Sequence, residues 1–114
     1  MDIEGRPFIV SVSAEQLRKE KEKARELRAT QWWKRQVAKG SCYYCHKKVV
    51  PAELTMDHIV ALSRGGKSTR ANCVAACREC NSRKKYLLPV EWDAYVKRMH
   101  ETEGIRDKGQ NGTM

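Results

Sequence analysis

Residues 42–85 read CYYCHKKVVPAELTMDHIVALSRGGKSTRANCVAACRECNSRKK, and the cysteines at the two ends of this stretch decide the fold. Cys42-Tyr43-Tyr44-Cys45 and Cys77-Arg78-Glu79-Cys80 are two CxxC pairs with 31 residues between them. A two-residue gap lets both thiolates of a pair face one ion, and two pairs complete a tetrahedral shell of four sulfurs. Such a closed shell suits Zn²⁺ and leaves no position for water, so this metal is expected to be structural. Its binding energy would offset the small core of a 114-residue chain. Redox-active pairs, disulfides or an iron–sulfur cluster are the weaker readings. Cys73, outside both pairs, reads as a small buried hydrophobe.

Outward from the cysteines, Val49-Val50 and Leu54–Ile59 are short β-prone stretches on either side of Pro51, and Asn72–Ala75 is a second candidate strand. Arg64-Gly65-Gly66-Lys67-Ser68 is a turn or exposed loop, and Arg78–Leu87 is a run of helix formers. On the N-terminal side, Ser13 is a helix N-cap, with Gln16 completing a capping box. No Pro or Gly interrupts Ala14–Lys39, which predicts one long helix stopped by Gly40. Its Glu15–Arg28 portion is mixed in charge and reads as a solvated face, with Leu17, Ala24 and Leu27 as a thin apolar stripe. Trp32, Trp33 and Val37 have more to bury and should dock on the metal domain. Pro89 opens a last helix, whose Trp92, Tyr95, Val96 and Met99 form a core stripe. The predicted divisions are an arm (1–12), a helical extension (13–40), a compact domain with its C-terminal helix (41–103) and a disordered tail (104–114). The class is α+β.

The chain carries 23 Lys+Arg against 14 Asp+Glu, a net charge of +9. Residues 41–88 alone hold a net +6, so the positive field centres on the segment with the cysteines. An acidic polymer is the partner such a field attracts, and nucleic acid is the commonest one. No run of 18 apolar residues exists to span a membrane, and Met1–Pro7 lacks the basic-then-apolar build of a signal peptide. The expected location is cytoplasmic, where thiols stay reduced.

Between the pairs lie the residues with chemistry. The full pattern is C-x2-C-x11-D-H-x13-N-x4-C-x2-C-N-x2-K, which places Asp57, His58, Asn72, Asn81 and Lys84. The oxygens of Asp57 and Asn81 are hard ligands suited to Mg²⁺ or Mn²⁺. His58, with an ordinary pKa of about 6.5, is the group ready to take a proton near neutrality. Asn81, Lys84 and Lys85 fall near one helix face, so a phosphate held by the metal would also meet a cation.

At these residues the chain resembles the HNH endonuclease family, with its ββα-metal fold and flanking zinc knuckles. The resemblance spans about Cys42 to Lys85, under half of the sequence. It implies His58 as the general base that activates water and Asp57 and Asn81 as ligands of the catalytic divalent ion. It also implies Asn72 as the brace of the loop that holds His58, and Cys42, Cys45, Cys77 and Cys80 as zinc ligands. Asn81 stands where the family's name has His, and an amide oxygen favours Mg²⁺ or Mn²⁺ over softer ions. The implied reaction is hydrolysis of a DNA phosphodiester to 5′-phosphate and 3′-hydroxyl ends. A monomer with one site would nick duplex DNA, whereas a homodimer would offer two sites. With no second recognition domain, low sequence specificity is expected. The resemblance extends to small phage and prophage proteins that accompany DNA packaging or recombination.

The alternative from another class is a non-catalytic zinc-knuckle module that binds nucleic acid through the same basic surface. The joint presence of Asp57, His58, Asn72 and Asn81 favours the enzyme. Arg64, Lys67, Arg70, Arg83 and Lys85 are candidate DNA contacts. For each, a merely solubilising role is equally open. His46 reads as a loop residue and His100 as a surface one. Neighbours in a regular strand point to opposite faces, so Asp57 and His58 are expected at a strand end or distortion.

Overall fold

The structure, a computed structural model, describes residues 11–110, with side chains as far as residue 101. Its elements are α1 (Ala14–Arg28), α2 (Gln31–Ala38), β1 (Thr55–His58), β2 (Cys73–Ala76), α3 (Arg78–Lys84) and α4 (Pro89–Gln110). β1 and β2 form a two-stranded antiparallel sheet in the register Thr55↔Ala76 to His58↔Cys73. α3 follows β2 directly and packs on β1, which makes the ββα core. The fold is α+β, with helices on either side of this core.

The one long helix expected from Ala14 to Lys39 is two. Thr30 adopts an extended conformation, and its Oγ1 donates to the Leu27 carbonyl at 2.7 Å while accepting the Trp33 N–H at 3.2 Å. One hydroxyl therefore closes α1 and caps α2. Ser13 caps α1 as expected, accepting the Gln16 N–H at 3.0 Å, but the Gln16 side chain donates to Glu20 and not back to Ser13. Gly40 follows α2 with φ +68, the left-handed conformation glycine adopts most readily.

Val49-Val50 is not a strand. Pro51 lacks an N–H and opens a short 3₁₀ turn there, and the nearest pairing is one bridge between Ser41 and Lys48. α3 stops at Lys84, short of the expected Leu87, where Lys85 turns to φ +47. α4 begins at Pro89 as predicted but runs past Gly104, the expected start of a disordered tail. No proline follows Pro89, so nothing sterically ends the helix there. Residues 1–10 of the expected arm and 111–114 of the expected tail lie outside the described residues.

Two apolar clusters hold the helices to the sheet. Trp33, at the start of α2, packs with Leu54 and Ala75, with Trp32, Val37 and Met56 around it. This is the docking expected of the α2 tryptophans. Trp92 of α4 packs against Cys42, Ala76, Cys77 and Cys80, with Tyr44, Leu87 and Tyr95 beside it. Val49 touches both clusters. Trp92 lies edge-on to Tyr44 and stacked with Tyr95, ring centroids 5.6 and 5.5 Å apart. No helix among the described residues is long and apolar enough to cross a membrane.

Candidate metal centre and active site

The first knuckle reaches the sheet through Tyr43, whose N–H donates to the Ala75 carbonyl at 2.8 Å. The second knuckle is the β2–α3 junction itself, with Cys77 as the N-cap of α3. The sulfurs of Cys42, Cys45, Cys77 and Cys80 consequently lie within 4.8 Å of one another, and all are free thiols. Four sulfurs about 2.3 Å from a central ion form a tetrahedron with edges of about 3.8 Å. The Cys45–Cys77 separation, 3.9 Å, fits that edge. Backbone N–H groups of Tyr44 and Cys80 point at the sulfurs of Cys42 and Cys77, at 3.3 and 3.4 Å. Burial alone would raise the Cys42 thiol, but backbone donors bring it down to about 7. The Cys80 thiol is pushed up, first by burial and then by the sulfurs around it. Charge on several sulfurs at once thus calls for a cation between them. Cys73 is buried apart from this group, as the sequence implied, and burial lifts its thiol to about 11.

The second constellation is built on β1. Thr55 and Asp57 share the strand face toward α3. Thr55 Oγ1 donates to the Ala76 carbonyl and accepts Nδ2 of Asn81 at 2.9 Å, which orients the Asn81 amide. This bond engages the nitrogen, so the oxygen is the atom Asn81 would offer a metal. Asp57 is buried, and its Oδ2 receives the Tyr44 hydroxyl at 2.5 Å and the Lys84 ammonium at 3.3 Å. Burial, then the bond to Asp57, hold the Tyr44 phenol well above its usual range, so it stays a donor. A carboxylate and an amide oxygen on one face are hard donors that fit Mg²⁺ or Mn²⁺.

His58 ends β1 and turns to the other face, where its Nε2 lies 2.9 Å from Ser68 Oγ. Asp57 and His58 are thus the last two residues of β1, at the expected strand end, and their side chains leave the strand on opposite faces. Burial lowers the His58 pKa, opposed by Asp57 and Glu20 and assisted by Arg28 and Lys84. Burial thus favours the neutral ring, the form that can accept a proton. The loop beyond His58 returns to the sheet through Asn72. Its Oδ1 accepts the Val60 N–H at 2.9 Å, and its Nδ2 donates to the carbonyls of Val60 and Lys67 at 3.0 and 2.8 Å. Gly66 presses so closely on Val60 that a Cβ there would sit 1.7 Å from the Val60 carbonyl oxygen.

Several sequence candidates have partners within the fold. Lys84 is fully buried, bonded to Asp57 and to the His58 carbonyl at 3.1 Å, with its ammonium over the Tyr44 ring. Arg64 reaches across to α4 and pairs with Glu91 at 3.2 Å, also donating to the Tyr86 carbonyl. Arg70 lies over the Trp32 ring, 5.5 Å from its centroid. Arg83 pairs with Glu79 one turn away at 2.9 Å. Lys67 and Lys85 are exposed, as are His46 and His100. Sequence reasoning missed Tyr44, Thr55, Ser68 and Glu20. Tyr44 fills an unspecified position of the first CxxC, the other three belong to no spaced motif, and Glu20 sits in a run that reads as solvated.

A helix laid on a two-stranded antiparallel sheet, with four cysteines gathered at the junction, is consistent with a zinc-stapled ββα core. Residues 42–86 match the family model described as HNH endonuclease. The match covers the sheet, α3 and both knuckles, and it supports a nuclease function for this segment. No curated protein matches the chain.

Proposed function

We propose that this protein is a divalent-metal-dependent HNH endonuclease that hydrolyses DNA phosphodiester bonds. The observation that carries the reading is the pair of consecutive residues at the end of β1. Asp57 faces α3, where Lys84 meets its Oδ2, while His58, with its pKa lowered, faces the opposite side. In this reading His58 takes the proton of the attacking water, and Asp57 and Asn81 hold Mg²⁺ or Mn²⁺. The metal supplies stabilisation of the charge that develops on the phosphate and the departing 3′-oxygen. Asn72 holds the His58 loop to the strand. Lys84 fixes the Asp57 carboxylate and the His58 backbone from inside, and Zn²⁺ on the four cysteines holds β2, α3 and the first knuckle together.

One site per chain supports nicking of duplex DNA, with 5′-phosphate and 3′-hydroxyl products and low sequence specificity. Lys67 and Lys85 are exposed cations suited to phosphate contact. Packaging or recombination proteins of a phage are partners compatible with this reading. The alternative, a DNA-binding module without catalysis, draws support from one contact: the Lys84 ammonium already compensates the Asp57 charge. Conversion of supercoiled plasmid to open circle, dependent on added metal and on His58, separates the two.

A further inference from the structure

We infer that Glu20 of α1 is a positioning residue for His58, acting through Ser68 to fix which ring nitrogen is free. The inference rests on the reading of His58 as the general base. Glu20 lies outside the segment that matches the nuclease family, and it is 2% exposed in a helix that is otherwise largely solvated. Two bonds tie it to Ser68, 48 residues away. Its Oε1 accepts the Ser68 N–H at 2.7 Å, and its own carbonyl accepts the Ser68 hydroxyl at 2.6 Å.

The direction of the second bond decides the tautomer. A carbonyl oxygen only accepts, so Ser68 commits its single hydroxyl proton to Glu20. Towards His58, 2.9 Å away, Ser68 Oγ has only lone pairs to offer, so His58 Nε2 carries the proton and donates. Neutral His58 is thereby the Nε2–H form, with Nδ1 the nitrogen that takes a proton. Asn72 holds the same loop through the Lys67 carbonyl, and Gly66 leaves no slack against Val60. Asn72 and Gly66 fix the loop's path, while Glu20 fixes the orientation of Ser68. A buried carboxylate is costly unless its acceptors are filled. Here the Ser68 N–H, Gln16 and Lys23 fill them.

The test uses the full-length, zinc-loaded chain with Glu20→Ala, Glu20→Gln and Ser68→Ala. Single-turnover cleavage of plasmid at saturating protein is expected to fall on the order of 10- to 100-fold in Glu20→Ala and Ser68→Ala. DNA affinity and zinc content should stay unchanged. Glu20→Gln, whose amide oxygen still accepts the Ser68 N–H, should recover most of the rate. Nitrogen-15 NMR of the His58 ring should show Nε2–H in the wild type and Glu20→Gln, and a mixture of tautomers in Ser68→Ala. A wild-type ring protonated at Nδ1, or wild-type rate and tautomer in Glu20→Ala and Ser68→Ala, would overturn the inference. If the wild type does not cut but keeps the Nε2–H form and loses it in Ser68→Ala, the positioning stands and the nuclease reading fails.

Discussion

The ammonium of Lys84 lies 3.3 Å from Oδ2 of Asp57, with the two side chains 0% and 5% exposed. A charge pair so far from water is held by geometry, because each ion gives up its hydration and recovers it from its partner and from the Tyr44 hydroxyl and the His58 carbonyl. The pair links α3 to β1 at the strand end where Asp57 and His58 diverge. Lys84 also bonds the His58 carbonyl, so one buried side chain orients both residues.

Lys84→Ala leaves the Asp57 carboxylate buried without its cation and should cost about 3–5 kcal/mol of stability. Urea unfolding at neutral pH, with zinc present, measures it. If Asp57 is also a ligand of Mg²⁺, millimolar Mg²⁺ should restore part of the loss in the variant and little in the wild type. A change below about 1 kcal/mol would show that the pair is not what holds the strand end.

Removal of zinc should unfold the core. Structural zinc contributes roughly 10 kcal/mol or more in small zinc-binding domains, comparable to the whole stability of a typical domain. Cys77→Ser removes a ligand while its hydroxyl can still cap α3, so lost helicity together with release of zinc, seen by circular dichroism, would report the metal and not the cap. A folded Cys77→Ser protein with no bound zinc would exclude a structural role for the site.

Glu20 predicts a pH dependence with a definite sign. Its bond from the Ser68 N–H, foremost, lowers its pKa below the ordinary 4.5. A carboxyl depressed in the folded state stabilises the fold above its unfolded pKa, and that contribution is lost as pH falls through the folded value. Between pH 6 and pH 3 the wild type should therefore lose more stability than Glu20→Gln. Zinc ligands titrate alike in both proteins, so the difference between the two melting curves isolates Glu20. Parallel curves would mean that the carboxylate charge has no part in holding Ser68.

The basic residues should divide into two groups. Lys67→Ala and Lys85→Ala should each weaken DNA binding and lower the slope of log affinity against log salt by about 1, with stability unchanged. Arg64→Ala should leave that slope alone and lower the melting temperature, because Arg64 ties the active-site loop to α4 through Glu91. Fluorescence anisotropy at several salt concentrations, paired with thermal melts, checks both. A salt-slope change in Arg64→Ala would return it to the DNA surface.

The zinc site and the ββα core are legible in the sequence because their signals are local. CxxC spacing, the Leu54–Ile59 and Asn72–Ala75 runs and Pro89 each act over a few residues, and the structure has an element at each, whereas Val49-Val50 forms no strand. The break at Thr30 is not legible, since Ala14–Lys39 holds no Pro or Gly and the hydroxyl of Thr30, which closes α1 and caps α2, stands where a threonine inside one helix would read the same. Arg64 and Lys84 read as phosphate contacts because their partners, Glu91 and Asp57, lie 27 residues away in each case. Glu20 is hidden for the same reason. Its neighbours in sequence are exposed, and Ser68, its partner, has no periodic relation to it. Spacing finds residues that meet through one turn or one strand, and it is blind to those that meet through the fold.

In the proposed function His58 serves as the base of a metal-dependent nuclease. Conversion of supercoiled plasmid to open circle by the purified chain in Mg²⁺ or Mn²⁺, beside His58→Ala and an EDTA control, tests this. Open circle is expected from the wild type, none with EDTA, and a loss of several orders of magnitude in His58→Ala, which should keep its zinc and its DNA affinity. Equal nicking by wild type and His58→Ala would contradict it, as would a wild type that binds plasmid and never cuts it.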